Sequence, residues 1–269
     1  MPLSTEPFWS ALVDDAAIFP PGDAELAAAV GAHLARDQPL VGSFVLRDTD
    51  LPAVAALPGS ADLALSVVVT GGAGQVAGPA AYAARAGLRL AGLETALRDL
   101  DDLAGNARRV VAAVDAARAE GALDEDVPVF VELPQDDPSY AWLAAADEVA
   151  AAELRLKLRT GGVEAHQVPD AARLAAWADA ALDRETPFKC TAGLHRAVRH
   201  DAGHGFLNVL LATVRAFDGA ARPEVIAVLE DRDPALDPAE LARGRRWFTS
   251  FGSCSVDEPL ADLRARGLA

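Results

Sequence analysis

Short apolar runs alternate with alanine-rich stretches of helical periodicity along the whole chain, and that order constrains the fold more than any other feature. The strand-like runs are ALVDDAAIF (11–19), LVGSFVLR (40–47), LALSVVVT (63–70), LRLAGLET (88–95), VPVFVEL (127–133), LRLKLR (154–159) and PFKCTA (187–192). Between them lie stretches such as DAELAAAVGAHLAR, AGNARRVVAAVDAARAEG, YAWLAAADEVAAAE and PDAARLAAWADAAL, whose apolar residues recur at helical spacing. Ser, Asp and Pro near their starts and Gly near several ends mark the boundaries. Parallel strands need long crossovers, so this order implies βαβ units around a parallel sheet.

Seven strands are read directly, and two segments compete for the eighth. EVIAVLE (224–230) follows the helical stretch GFLNVLLATVRAFDG, whereas WFTSFGSCS (247–255) comes later and is followed by a last helix, EPLADLRARGL. A barrel that ends strand-then-helix favours the second, which leaves a helical insertion at about 220–246. The expected fold is therefore a single-domain α/β protein, a (β/α)8 TIM barrel spanning residues 1–269, close to the roughly 250 residues usual for that fold. An open doubly wound sheet is the runner-up. It is disfavoured because no strand carries a G-x-G-x-x-G turn; TGGAGQ (70–75) has the glycines without the spacing. FPPGD (19–23) reads as a rigid turn into the first helix.

The net charge of −16 argues against a nucleic-acid or anionic-membrane partner. No apolar stretch approaches the roughly 20 residues that span a bilayer, and the opening MPLSTEPFWSALVDD lacks the basic and apolar regions of a signal peptide. Two cysteines, Cys190 and Cys254, make neither a disulfide framework nor a zinc site. A cytoplasmic protein acting on a small molecule is the expectation. A homodimer fits the general frequency of two-fold oligomers, although no feature of the chain fixes it.

In such a barrel, chemistry gathers at the C-terminal ends of the strands. Those ends carry Asp14 and Asp15, Arg47, Thr70, Glu94, Glu132, Lys157 with Arg159, and Lys189 with Thr191 and His195. Alternation of side chains places Leu154, Leu156 and Leu158 against the helices, so Arg155, Lys157 and Arg159 face the barrel axis. On the next strand Lys189 and Thr191 share the inward face, and Cys190 turns outward as a small buried hydrophobe.

Of 24 basic residues only Lys157 and Lys189 are lysine, in a chain that otherwise uses arginine. Arginine is the better permanent cation and the better bidentate binder of anions. Lysine can lose its proton and attack a carbonyl to form a Schiff base, and a neighbouring ammonium lowers the pKa of such an amine. Two lysines on adjacent strands therefore suggest a nucleophile and a partner that keeps it partly deprotonated. Glu94 and Glu132 are the expected proton relay or charge partners, with Asp14 third and His195 as an acid/base candidate. Arg159, Gly161, Gly162, Gly193 and the Gly252–Ser253 turn are the expected anion site, because backbone N–H groups of glycine-rich turns cradle anionic oxygens.

Lys157-Leu-Arg-Thr-Gly and Phe188-Lys189-Cys-Thr-Ala-Gly-Leu-His together resemble the paired lysine motifs of deoxyribose-phosphate aldolases, class I aldolase barrels with K-x-[ST]-T-G on strand six and F-K-x-[AS]-G-G on strand seven. The resemblance implies that Lys157 is the Schiff-base lysine and that Lys189 tunes it and helps move protons; no cofactor is expected. Thr160 and Thr191 fall within these motifs and join the expected substrate-binding residues. Phe251-Gly252-Ser253-Cys254-Ser255 is similar to the phosphate-binding turn after strand eight of that family. Arg159 stands where the family has a small hydroxyl residue, and Ala192 where it has glycine or serine. The segment LVDDAAIFPPGD also resembles the opening of uncharacterised bacterial proteins, so an activity other than deoxyribose-phosphate cleavage is an equal expectation.

Two other functions remain open at the level of sequence. Glu94, Glu132, Asp14 and His195 can be read as an oxygen-rich metal site of a lyase or isomerase, although adjacent lysines repel a metal. Alternatively, a non-catalytic barrel would bind an anionic metabolite through Arg159, Lys189 and backbone N–H groups. His195, His200 and His204 lie in GLHRAVRHDAGHG, a polar loop that reads either as a lid or as a solvated connection. Trp142, Trp177 and Trp247 read as packing residues.

Overall fold

The computed structural model describes residues 7–201 and 203–269, which form a closed barrel of eight parallel strands in the order β1 to β8. The strands are β1 (Val13–Asp15), β2 (Val41–Arg47), β3 (Ala64–Val68), β4 (Arg89–Ala96), β5 (Val129–Glu132), β6 (Arg155–Arg159), β7 (Phe188–Thr191) and β8 (Phe248–Ser253). The helices between and after them are α1 (Leu26–Leu34), α2 (Leu51–Ala55), α3 (Ala77–Ala86), α4 (Leu103–Ala119), α5 (Tyr140–Ala151), α6 (Ala171–Leu182), α7 (Phe206–Phe217), α8 (Arg222–Glu230), α9 (Pro238–Gly244) and α10 (Asp257–Ala265). The expected (β/α)8 barrel is the fold, and the open sheet is excluded because β1 pairs with β8.

The eighth strand is the later of the two segments. Residues 222–230 form α8 instead, started by Pro223 in its first turn, a position where the missing N–H of proline costs nothing. Asn208 on α7 donates to the carbonyls of Val228 and Asp231, tying α8 to α7.

Helix formation follows from the local sequence. On α4, Leu103, Ala107, Val110, Val114 and Ala117 are buried at spacings of three and four, giving one apolar stripe against the barrel. Asp102, Ser139 and Asp170 cap α4, α5 and α6 by accepting from Gly105, Trp142 and Arg173 N–H groups. Outward strand residues such as Leu156, Leu158 and Cys190, with Leu154 just before β6, join this apolar layer. Burial pushes the Cys190 thiol up, against the smaller pull of Lys189, as suits an inert packing residue. Trp142 and Trp177 are buried as packing residues, and their indole N–H groups hold the β5–α5 loop through the Pro134 and Asp136 carbonyls. No helix among the described residues is long and apolar enough to cross a membrane.

Candidate active site

Barrel closure brings at least one polar side chain from every strand into a single network, with two from β6. Glu132, Lys157 and Lys189 are successive register partners on β5, β6 and β7. Lys157 Nζ lies 2.7 Å from Glu94 Oε2 and 2.9 Å from Glu132 Oε2. Lys189 Nζ lies 2.7 Å from Glu94 Oε1 and 2.6 Å from Asp14 Oδ2. At the mouth, Arg159 Nε donates to Glu132 Oε1 at 2.7 Å. The result is an alternating chain, Asp14–Lys189–Glu94–Lys157–Glu132–Arg159, with three anions and three cations. The remaining strands contribute serines: Ser43 Oγ and Ser250 Oγ donate to Asp14, and Ser66 Oγ donates to Glu94, each at 2.7 Å.

This balance explains how so much charge stands inside a barrel. Lys157 and Lys189 are 4% and 1% exposed, a placement that is costly for an isolated ammonium. Here each ion is neutralised by its neighbours, and Asp14 and Glu94 also accept from the serine hydroxyls. Lys189 also sits 5.1 Å from the centroid of the Phe130 ring, a cation–π contact.

The lysine electrostatics differ from expectation. A second ammonium was to lower the pKa of Lys157, but Glu94 stands between the two amines. Burial works against the charge on Lys157, yet Glu94 and Glu132 outweigh it and hold the ammonium above its ordinary value. Lys189 is likewise held up by Asp14 and Glu94 against burial. In turn, Glu94 and Glu132 are held below the ordinary carboxylate value by the cations, despite burial. At rest, both lysines are charged.

The network floors a cavity of about 530 Å³ at the C-terminal mouth of the barrel. Glu94, Glu132, Lys157, Arg159 and Lys189 line its polar side. Phe19, Pro20, Pro21, Val45, Val68 and Val69 form an apolar wall opposite. Asp14 lies beneath it, reaching the amines through Lys189.

The expected anion cradle is only partly assembled. Gly162, Thr191, Gly193 and Gly252 line the cavity with Arg159. Thr160 does not. Its buried hydroxyl donates to the Ala192 carbonyl at 2.7 Å, stapling the β6–α6 loop to the β7–α7 loop. Gly161 serves the same contact: a Cβ there would stand 2.7 Å from Gly193 Cα, so glycine permits the two loops to touch. Ser253 is also committed elsewhere, its hydroxyl donating to the Ser255 carbonyl at 2.7 Å. Sequence spacing identified these turns but could not tell loop-to-loop packing from ligand binding.

Other strand-end residues take separate places. Asp15 turns away from the axis to His33 and Arg36, as alternation after Asp14 requires. Thr70 donates to Asp48. Arg47 stacks over Phe19 at 4.5 Å. His195 reaches the cavity rim but faces Glu258 and Cys254 rather than Glu94, Glu132 or Asp14. His204 is fully buried, with Nε2 at 2.7 Å from the Pro169 carbonyl, and its pKa is lowered by burial. The histidine-bearing loop is therefore anchored at His204 rather than solvated throughout. A metal site needs Glu94, Glu132 and His195 to converge. Instead, both carboxylates are held by cations, and no group of three or more His, Cys, Asp or Glu side chains among the described residues is arranged to hold an ion.

Sequence reading missed Ser43, Ser66, Ser250 and Arg98. The serines carried only one weak signal, a polar residue on the inward face of an apolar strand. Arg98 lines the cavity from the loop after β4, where a single charge resembles any exposed loop residue. Gln135 was missed too: its side-chain amide donates to the carbonyls of Arg159 and Gln167, pinning the loop after β6.

No family model matches the sequence, and no curated protein matches it. Among solved structures, the chain is similar to deoxyribose phosphate aldolase from Aeropyrum pernix, described as having a unique tetrameric structure. The two superpose with a TM-score of 0.61 at 15% sequence identity, over 96% of this chain and 92% of that one. At that identity the likeness establishes a shared barrel fold.

Proposed function

We propose that the protein is a Schiff-base-forming enzyme of the class I aldolase type, a lyase acting on a small carbonyl metabolite that carries a phosphate or carboxylate. The observation that carries this reading is the placement of Lys157, the chain's nucleophile candidate, between two carboxylates at the floor of a cavity whose rim bears Arg159. The aldolase-type barrel of the structural neighbour is in keeping with it. A barrel that only bound an anion would not need a buried amine with two proton acceptors in contact.

The reaction begins with Lys157 protonated. Arg159 is the partner that ties Glu132 down from the solvent side. An anionic substrate group competes for Arg159, and Glu132 then loses one of the two cations that depress its pKa. Glu132 becomes the stronger acceptor and takes the Lys157 proton. The free amine attacks the carbonyl carbon: a C–N bond forms, the C=O π bond breaks, and the alkoxide takes the proton back from Glu132. Loss of water then gives the iminium, an electron sink for making or breaking the adjacent carbon–carbon bond. Lys189 stays an ammonium, placing Glu94 against Lys157 and supplying charge beside the developing carbanion. Arg98, Thr191 and Gly193 contact the substrate further out. Assembly into a homo-oligomer is proposed by analogy with the tetrameric neighbour.

Sodium borohydride added with a panel of small aldehydes and 2-oxo acids tests this reading. The expected result is a reduced adduct on the protein with at least one anionic carbonyl compound. If no adduct forms across the panel while the protein binds the same anions, the reading fails and a binding barrel remains.

A further inference from the structure

A second group of reactive side chains stands on the rim of the same cavity, away from the lysines. Cys254 follows β8, His195 lies in the β7–α7 loop, and Glu258 is in the first turn of α10. Cys254 Sγ is 3.9 Å from His195 Nε2, within reach of a sulfur hydrogen bond, and His195 Nδ1 is 3.0 Å from Glu258 Oε2. Both Cys254 and His195 line the cavity. This is the order nucleophile, base, orienting carboxylate that activates thiols and hydroxyls on many unrelated folds.

The parts are unequal in exposure, in a way that suits the order. Cys254 is half-buried, whereas Cys190 is fully buried. The β1–α1 loop packs on the sulfur-bearing residue, since a Cβ at Gly22 would stand 3.0 Å from Cys254 Cβ. The acids that act electrostatically on the thiol are Glu258 on α10 and Asp23 on that loop. With Nδ1–H donating to Glu258, the Nε2 of a neutral His195 carries the lone pair that faces the thiol.

We propose that Cys254, His195 and Glu258 form a thiol relay that makes Cys254 a second covalent centre of this cavity, one that captures an aldehyde as a hemithioacetal. The carbonyl class rests on the function proposed above; the activation of the thiol by His195 does not. In the step, the Sγ–C bond forms as the C=O π bond breaks. The thiol proton passes to His195 Nε2 and then to the alkoxide oxygen, so no oxidant, reductant or leaving group is involved. Burial pushes the Cys254 thiol up, and the adjacent acids act in the same direction. The sulfur is accordingly protonated at rest and becomes nucleophilic only as His195 accepts the proton.

Iodoacetamide labelling at pH 7.5, followed by peptide mass spectrometry, tests the relay. Cys190 serves as an internal reporter of an intact barrel. The expected result is alkylation of Cys254 about tenfold faster in the wild type than in His195→Gln, a modest share of what a general base supplies, with Cys190 unmodified in both. Equal rates at Cys254 overturn the relay. Butanal tests the adduct: it slows alkylation of Cys254 in the wild type and, to the same extent, in Lys157→Arg, which forms no iminium. Protection that disappears in Lys157→Arg assigns the effect to Lys157 and overturns the hemithioacetal while leaving the proposed function standing. A variant that exposes Cys190 is replaced by its smaller counterpart, His195→Asn or Lys157→Met.

Discussion

Lys157 and Lys189, register partners on adjacent strands, are separated electrostatically by one shared carboxylate: Glu94 gives Oε2 to the first and Oε1 to the second, each at 2.7 Å. Replacing it tests how the pair is held. Glu94→Gln keeps the shape but leaves two buried ammonium groups with one carboxylate each. Breaking a buried ion network by removing one partner costs about 3–5 kcal/mol, and a loss of that order is expected in urea denaturation at pH 7. An unchanged urea midpoint would contradict the network.

The same network predicts an acid limb to stability. Glu94 and Glu132 have folded-state pKa values below their ordinary 4.5. Their contribution is therefore present above the unfolded value and lost as pH falls through the folded ones. The lysines have the opposite sign: raised above 10.5, they contribute fully below that value and lose it only as pH rises through their folded values. Urea midpoints measured from pH 7 down to pH 3 should fall more steeply in the wild type than in Glu94→Gln. Parallel profiles would show that Glu94 is not a linked group.

Arg159→Ala separates anion binding from proton transfer. With a 2-oxo acid, the concentration for half-maximal borohydride trapping should rise about tenfold, the loss of one charge-assisted contact worth about 1.4 kcal/mol. With an uncharged aldehyde of similar size it should not rise. Trapping of that aldehyde at saturation should be faster than in the wild type, because Glu132 is no longer held by Arg159. Equal effects on both compounds would remove Arg159 from the anion site.

Ser250→Ala probes the floor. Ser250 Oγ donates to Asp14 Oδ2, the oxygen that also meets Lys189. A hydrogen bond to a buried charge contributes about 1.5–3 kcal/mol, so a destabilisation near 2 kcal/mol is expected by thermal or urea denaturation. A loss below about 0.5 kcal/mol, the usual range for a surface substitution, would mean that the bond contributes little.

The barrel and its charged floor were legible for a local reason. Alternation in LRLKLR assigns Lys157 inward from its neighbours alone, and the same rule separates Asp14 from Asp15. What stayed hidden depends on pairing between strands. Ser43 and Ser66 meet Asp14 and Glu94 across neighbouring strands, β2 to β1 and β3 to β4, and Ser250 meets Asp14 only once β1–β8 pairing closes the ring; nothing in their own segments announces those partners. Thr160, Gly161 and Ser253 sit in turns whose composition suits phosphate binding, but two loops meeting face to face make the same demands as a ligand. The sign of the lysine shift was missed because residue spacing put two ammonium groups side by side. The folded chain places a carboxylate between them.

The most direct test is the site of covalent capture. Borohydride reduction with a reactive carbonyl compound, followed by peptide mass spectrometry, distinguishes the two lysines of this chain without ambiguity. The expected result is the reduced adduct on Lys157, absent from Lys189 and lost in Lys157→Arg. An adduct on Lys189 with Lys157 unmodified, or adducts on neither lysine in a protein that still turns over its substrate, would contradict it.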